Sequence, residues 1–448
     1  MVKLEHIKHI YFLGIGGIGM SALARYFLTK QISVAGYDRS TSDISISLAQ
    51  ESCDISYQDD PSTIPDTFKS KDDTIVIYTP AIPEQNALKA YFQERNYPLY
   101  KRSEILGLIT KDMNCLAIAG THGKTTISSL LTFILSQNKI DCTAFLGGIA
   151  TDLNSNLRLG SEDLVVVEAD EFDRSFLKLS PDWALISSMD ADHLDIYGDS
   201  QHLEVSFRQF SDRVNKNHLI AKEGLTVQAT YSYALYSSTA DFSATDIQVQ
   251  NGAYTFNLTH PEGICKDVVT GLPGIHNVEN ALAAFAMAYF QGVPVEGIVK
   301  SIACFSGVKR RFECHIKTDS FVYIDDYAHH PKEITVAIQS ARDLFPNEKL
   351  TVVFQPHLFT RTRDFMDDFA RELSLADCVM LLEVYPAREM PISGVDSAAL
   401  LEKITCNEKG LYSKSEFPDV VPNVGVLMTL GAGDIDTLVE PIKMYLTQ

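Results

Sequence analysis

A seven-residue run, Gly120-Thr121-His122-Gly123-Lys124-Thr125-Thr126, joins a predicted buried strand at 115–119 to a predicted helix. Its amides can cradle phosphates, Lys124 can reach the β and γ oxygens, and Thr125 can ligate Mg2+. The longer phosphate loop needs a glycine at 118, where Ile118 stands, so this is the shorter G-x-x-G-K-T-T form. It predicts an ATPase centre. Further on, the apolar run Val165-Val166-Val167 ends in Glu168, with Asp170, Glu171 and Asp173 close behind. Mg2+ takes few protein carboxylates and keeps waters and phosphate oxygens, so one carboxylate at a strand end suits it. Glu168 is the candidate, and at least two of the other three are expected on a solvated acidic face. In Asp192-His193-Leu194-Asp195, His193 reads either as a metal or phosphate ligand or as part of a capped turn.

A second glycine turn, Gly14-Ile15-Gly16-Gly17-Ile18-Gly19, follows the strand pattern at 9–13 and opens a helical one. Such a turn lets the backbone approach a pyrophosphate, and Asp38, closing the next strand, is placed to read a ribose or base. The turn fits a nicotinamide dinucleotide and a UDP-sugar equally well, and also a tight turn without ligand. Three more groups carry chemistry. His276-Asn277-Val278-Glu279-Asn280 opens an apolar helix, with Asn277 as its expected cap and either asparagine able to read an adenine edge. Lys309-Arg310-Arg311 is a cationic run suited to an anionic intermediate. Asp325-Asp326-Tyr327-Ala328-His329-His330 closes a strand and offers amine capture and proton handling, with a zinc site as the competing reading. His357, Arg361 and Arg363 follow a strand, as does Gly431-Ala432-Gly433-Asp434-Ile435, where open α/β sheets take their ligands.

These motifs need strands that end together, and the pattern supplies them. Apolar runs at 9–13, 33–37, 74–78, 115–119, 164–167, 183–186, 321–324, 350–354, 379–383 and 424–430 alternate with helical stretches, which indicates βαβ units and parallel sheets. The stretch 185–189 also reads as strand, and 226–270 as inserted hairpins. The pattern restarts twice, giving expected segments 1–110, 111–312 and 313–448. A chain of 448 residues accommodates three domains. With 38 basic against 58 acidic residues, the net charge of -20 argues against nucleic acid and anionic membranes as partners. The eight scattered cysteines form no C-x-x-C pair, and the N-terminal residues lack signal-peptide anatomy. No apolar stretch approaches the ~20 residues that span a bilayer. A cytoplasmic protein without membrane insertion is expected.

Taken in order, LGIGGIGMSALA, GTHGKTT, VEADEFDRSF, DHLDIYGD, GIHNVENALAA, GVKRRFE, DDYAHHPKE, FQPHLFTRTRD and GAGDI resemble the Mur ligase family of peptidoglycan synthesis throughout the chain. The resemblance implies an α/β protein of three domains: an N-terminal Rossmann-like UDP-sugar domain, a central P-loop ATPase domain and a C-terminal Rossmann-like domain. It implies that Gly14 to Gly19, with Asp38, bind the UDP-sugar and that Gly120 to Thr126 bind ATP, with Asn277 and Asn280 at the adenine. Thr125, Glu168 and His193 would hold two Mg2+ ions, or Mn2+. Lys124, Arg310, Arg311 and His330 would act at the reacting centre. Asp326, His329, His357, Arg361 and Arg363 would line the amino-acid side. The nearest branch joins L-alanine to the lactyl carboxylate of UDP-N-acetylmuramate through an acyl phosphate, as a monomer or weak homodimer. A tripeptide-recycling ligase acting on the same UDP-sugar is the alternative. Sister ligases carry a carbamylated lysine shortly after the D-H-x-D segment, and Leu194 to Asn215 contains no lysine. A nicotinamide oxidoreductase would leave Gly120 to Thr126 without a role, and a nucleotide sensor would leave the histidines and cations of 309–363 without one.

Overall fold

The computed structural model describes residues 7–160, 163–190, 197, 199–250, 253–318, 320–387, 389–422 and 424–447. The first sheet contains β1 (His9–Leu13), β2 (Ser33–Tyr37), β3 (Asp54–Ser56), β4 (Thr74–Tyr78) and β5 (Leu99–Lys101). They lie in the order β3-β2-β1-β4-β5, all parallel. β1, β2 and β4 are near-continuous apolar runs because helices cover both faces of a parallel sheet. The strand order reverses between β1 and β4. The Gly14–Gly19 turn leaves β1 at that switch point, where open sheets of this kind receive ligands.

The central sheet has ten strands: β6 (Asn114–Ala119), β7 (Thr143–Ala150), β8 (Ser155–Arg158), β9 (Leu164–Ala169), β10 (Trp183–Ile186), β11 (Leu219–Lys222), β12 (Tyr231–Leu235), β13 (Phe242–Gln250), β14 (Ala253–His260) and β15 (Gly263–Val269). Their order is β15-β14-β13-β12-β11-β10-β6-β9-β7-β8. Two expectations change here. The stretch read as hairpins starts with β12 and β13 in parallel, not antiparallel, pairing. β10 stops at Ile186, because Ser187 and Ser188 turn their hydroxyls to the phosphate loop instead of continuing the ladder.

The third sheet contains β16 (Glu313–Lys317), β17 (Phe321–Asp326), β18 (Leu350–Phe354), β19 (Cys378–Leu381), β20 (Glu408–Leu411) and β21 (Gly425–Leu430). Its order is β16-β17-β21-β18-β19-β20, with β16 antiparallel to β17 and the other pairs parallel. Alternate residues of these strands feed two cores. Val322, Val352 and Met428 face one, and Tyr323, Val353 and Leu427 face the other.

The chain divides into two compact units: residues 1–245, 258–265 and 280–302 form the first, and residues 246–257, 266–279 and 303–448 the second. In the first unit a single core runs from Ile10, Phe12 and Ile75 of the first sheet to Cys115, Val165 and Ala184 of the central one. A polar pin crosses the same boundary. Fully buried Asn156 donates to the Ile18 carbonyl and to Ser21 Oγ (2.9 Å), while Arg25 donates to its Oδ1 at 2.6 Å. Ile18, Ser21 and Arg25 all lie on the helix Ile18–Thr29, which the glycine turn starts. The pin therefore fixes where that helix begins relative to the central sheet. Asn156→Leu strands three polar groups in the boundary and is expected to cost about 1–3 kcal/mol in urea unfolding. Asn156→Asp, which keeps the acceptor for Arg25, is expected to cost less.

Candidate functional site

Register places the phosphate loop. Ile118 of β6 lies opposite Glu168 of β9, and Ala119 lies opposite Ile186 of β10. The loop that follows therefore emerges between a carboxylate on one side and Ser187–Ser188 on the other. The His122 amide donates to Ser188 Oγ at 2.8 Å, and Thr121 Oγ1 shares a hydrogen bond with the same hydroxyl at 3.0 Å. Ser187 Oγ reaches the Ala119 and His122 carbonyls. The Asp190 amide donates to Thr121 Oγ1 at 3.1 Å, and its carboxylate lies 3.4 Å from His122 Nε2. Gly123 then starts the helix Lys124–Gln137 in a left-handed conformation (φ 80°). A Cβ there would also come within 2.5 Å of Asn280 Oδ1, so glycine is required twice over. Thr125 and Thr126 are buried in the first helical turn.

Lys124 Nζ donates to the Gly120 carbonyl at 2.6 Å and to Glu171 Oε2 at 2.7 Å. Burial works against the ammonium, but Glu171, Asp170 and Glu168 outweigh it, and its pKa is raised. The Glu171 side chain is 1% exposed, and burial pushes its pKa upward against the pull of Lys124. Glu171 departs from the solvated acidic face expected here, whereas Asp170 and Asp173 stay partly exposed but paired. Asp170 lies 3.4 Å from Arg102 Nη2 and Asp173 lies 2.6 Å from Lys101 Nζ, so each carboxylate has a cation. The backbone bends through left-handed conformations at Asp173 (φ 52°) and Arg174 (φ 54°) to make these pairs. Glu168 Oε2 accepts from the Gly147 amide at 3.0 Å.

These groups meet in one cleft of about 320 Å³ lined by Gly17, Ile18, Gly19, Arg102, Lys124, Gly147, Glu168 and Asp170, among others. The two glycine turns of the sequence thus converge on a single cavity within the first unit. Asp38 is committed to one of them, its Oδ2 accepting from the Gly16 amide at 2.8 Å. Arg102, Gly147, Ser187, Ser188 and Asp190 escaped the sequence reading. Arg102 alone carried a signal, as one of two consecutive cations opening a helix, where the helix dipole disfavours positive charge. His193 lies outside the described residues.

A divalent metal suits this cleft on charge. Among the cleft side chains and their ion-pair partners, Lys124 and Arg102 face Glu168, Asp170 and Glu171, which leaves one net negative charge. Added positive charge would favour the entry of polyphosphate. Thr125 and Glu168 are oxygen donors of the kind Mg2+ accepts. Among the described residues no three His, Cys, Asp or Glu side chains are grouped to hold an ion by themselves, so phosphate and water would have to complete the coordination.

The helix Ile275–Phe290 begins before Asn277, which is therefore not its cap. The Asn277 and Val278 amides bond to the Gly274 carbonyl, and Asn277 Nδ2 donates to the Pro273 carbonyl at 2.6 Å. The Pro273-Gly274 turn starts the helix early. Asn277 and Asn280 still share a helix face, three residues apart. Arg310 is held within the second unit by Asp325 (3.1 Å), the Gly431 carbonyl (2.6 Å) and Asp436 (3.5 Å). The Arg311 guanidinium lies 5.1 Å from the Tyr327 ring and acts on both His276 and Asp326. Burial raises Asp326 to about 6 despite Arg311 and despite amide bonds from Ala328 and Phe312, each 2.7 Å.

His329 and His330 follow β17, their amides donating to Glu333 at 3.1 and 3.2 Å. The His330 ring packs on Phe365 at 4.8 Å, and that of His329 faces His357 at 6.1 Å. His357 Nδ1 lies 3.3 Å from Arg361 Nη1. Arg363 is exposed and turned to Asp364 at 2.7 Å.

The buried Lys124–Glu171 pair predicts a pH-dependent stability defect. Lys124→Met leaves Glu171 buried without its cation, and its pKa then lies further above the unfolded value. The folded state holds that proton when the unfolded state has lost it, so the deficit relative to wild type grows as pH rises above about 4.5. A loss of about 3 kcal/mol at pH 8, shrinking toward pH 5, is expected from denaturant unfolding without ligands. Adding Glu171→Gln should remove the pH dependence.

Three family profiles match successive parts of the chain: Mur ligase family, catalytic domain, over residues 9–113; Mur ligase middle domain over 118–288; and Mur ligase, glutamate ligase domain, over 310–435. A UDP-N-acetylmuramate–L-alanine ligase from Christiangramia forsetii is 48% identical over 450 aligned positions, covering 100% of this chain and 99% of the relative. Its counterpart from Flavobacterium psychrophilum is also 48% identical, with 100% of both chains covered. The crystal structure of the alanine ligase MurC from Thermotoga maritima is similar with a TM-score of 0.85 at 26% identity, over 98% of this chain and 99% of that one. The α/β sheets and three-domain architecture expected from the motifs are those of that structure. The chain belongs to the Mur ligase family.

Proposed function

We propose that this protein joins L-alanine to the lactyl carboxylate of UDP-N-acetylmuramate with hydrolysis of ATP to ADP and phosphate. The observation that carries the reading is the single cleft shared by Gly17–Gly19, Lys124 and Glu168, which gives a sugar acid and a γ-phosphate one place to meet. Relatives of alanine-ligase name over the full chain support it, and none of the features described favours the tripeptide-recycling alternative. The functional segments are 1–110 for the UDP-sugar, 111–312 for ATP and 313–448 for the amino acid.

A carboxylate oxygen of the sugar attacks the γ-phosphorus, its bond to the β-bridging oxygen breaks, and an acyl phosphate and ADP result. The alanine amine then attacks the acyl carbon, and phosphate leaves through a tetrahedral intermediate with loss of the amine proton. Both steps depend on positioning and charge neutralisation rather than on a covalent enzyme intermediate. Gly14 to Gly19 hold the UDP-sugar, with Asp38 bracing the turn. The amides of Gly120 to Thr126 hold the phosphates, and Asn277 and Asn280 flank the adenine. Lys124 exchanges Glu171 and the Gly120 carbonyl for phosphate oxygens. Mg2+, as two ions and with Mn2+ as a substitute, supplies Lewis-acid neutralisation of the phosphates when bound, and Thr125, Glu168 and His193 are the residues to hold it. Arg311 faces the reacting centre, while Arg310, tied to Asp325 and Gly431, fixes its neighbour. Asp326, His329, His357, Arg361 and Arg363 form the amino-acid side, and His330 takes the alanine proton. The protein works in the cytoplasm as a monomer or weak homodimer. No helix among the described residues is long and apolar enough to cross a membrane.

The direct test incubates the protein with UDP-N-acetylmuramate and ATP plus L-alanine, L-serine, glycine or the murein tripeptide. ADP and phosphate are expected to form in step with one amide product, fastest with L-alanine. Turnover with the tripeptide alone would move the assignment to the recycling branch. Lys124→Ala should lower kcat by at least about 10²–10³-fold, while binding of the UDP-sugar persists.

A further inference from the structure

Arg102 belongs to none of the motifs, yet it stands where the two glycine turns converge. It is the first residue of the helix Arg102–Thr110, whose N-terminus is closed by Glu104 accepting from the Lys101 amide at 2.9 Å. A guanidinium at that end opposes the helix dipole, so an anion beside it is favourable. Among the described residues its one ion-pair partner is Asp170, through a single contact of 3.4 Å. Charge-assisted bonds to a guanidinium run nearer 2.7–2.9 Å and are often forked. Arg102 is thus a five-donor fork with one long contact, its side chain 19% exposed, on the wall of a cleft that also holds Lys124. Its depth is set by Gly19, where a Cβ would lie 2.9 Å from Nη1. The glycine is therefore also the surface on which the guanidinium rests.

We propose that Arg102 is the substrate-binding residue that reads the acyl-donor carboxylate of the sugar, and that Asp170 holds its place before the sugar arrives. The inference rests on the function proposed above and adds a specificity determinant to it. A planar fork matches a carboxylate in two parallel hydrogen bonds, which a lysine cannot do. Arg102 sits on the sugar side of the cleft, next to Gly19, and Lys124 on the phosphate side. A carboxylate held in that fork retains a lone pair on each oxygen for attack on the phosphate that Lys124 attends, since both cations line one cleft. Asp170 is a carboxylate like the one it yields to, so Arg102 has an anionic partner before and after the exchange.

The test is calorimetric titration, without ATP or alanine, using UDP-N-acetylmuramate and its neutral lactyl carboxamide. Wild type is expected to bind the acid about 10- to 100-fold more tightly than the amide. Arg102→Gln is expected to bind both alike, at the affinity wild type shows for the amide, with binding of a non-hydrolysable ATP analogue unchanged. Arg102→Lys, which keeps the charge without the fork, should fall between them and serves if the glutamine variant does not fold. Asp170→Asn separates substrate reading from a structural ion pair, because it removes the competitor and should keep or widen the preference for the acid. Retention of that preference in Arg102→Gln, or its equal loss in both variants, overturns the proposal. Failure of wild type to bind the sugar acid, or to form ADP on addition of alanine, would instead overturn the function on which it rests.

Discussion

The structure depends on how one buried ammonium is kept charged. Lys124 has left water, and its charge survives because Glu171 and the Gly120 carbonyl both lie within 2.7 Å. That requirement propagates outward. Glu171 can reach Lys124 only if β9 runs beside β6, in the register that sets Glu168 opposite Ile118. The chain after β9 must then turn sharply, through two left-handed residues, so that Asp170 and Asp173 meet Arg102 and Lys101. Those two cations stand at the end of β5, in the first sheet. A hydrogen-bonded lysine at the start of the helix that follows β6 is thereby linked by three ion pairs to the edge of the first sheet, and the cleft is what remains between them.

Much of this was legible because parallel sheets leave a strong trace. β1, β2, β4 and β10 have the bounds of their apolar runs, since both faces of each strand are covered. β16 and β20 were invisible for the converse reason. ECHIK and EKGL are edge strands without a fully buried residue, so they carry no continuous apolar run. The helix Ile275–Phe290 was found but started late, because an asparagine resembles a cap and a Pro-Gly turn was the actual signal. The phosphate loop was legible through Gly123 and Lys124, whose types admit few other uses. The residues that hold it were not. Ser187 and Ser188 look like strand until β10 is seen to stop, and hydroxyls facing a loop leave no periodic trace.

The acidic segment shows the deeper limit of pattern reading. Asp170, Glu171 and Asp173 sit in a run that composition alone assigns to solvent, since carboxylates are almost never buried unless paired. Their partners are Arg102, Lys124 and Lys101, between 47 and 72 residues away in sequence for the hydrogen-bonded pairs. Long-range pairing of this kind is created by topology. It becomes readable only once the order β10-β6-β9 and the adjacent first sheet are known.

A net charge of -20 seemed to set the chain against anionic partners, and the cleft shows why the sum is a poor guide. What a polyanion meets is local, and here it is two cations already matched by three carboxylates. Binding therefore cannot proceed by simple attraction. On the function proposed above, each ligand anion would displace a protein carboxylate from its cation, and the displaced carboxylate would then need a new counter-charge in a partly buried place. A divalent ion held at Glu168 would supply it. The acidic segment keeps the Lys124 ammonium charged in the empty cleft and gives Arg102, a guanidinium charged whatever its surroundings, an anionic partner. A cleft lined by unmatched cations would bind phosphate sooner, but in this fold it would have to hold two buried positive charges in its empty state, each costing several kcal/mol without a partner.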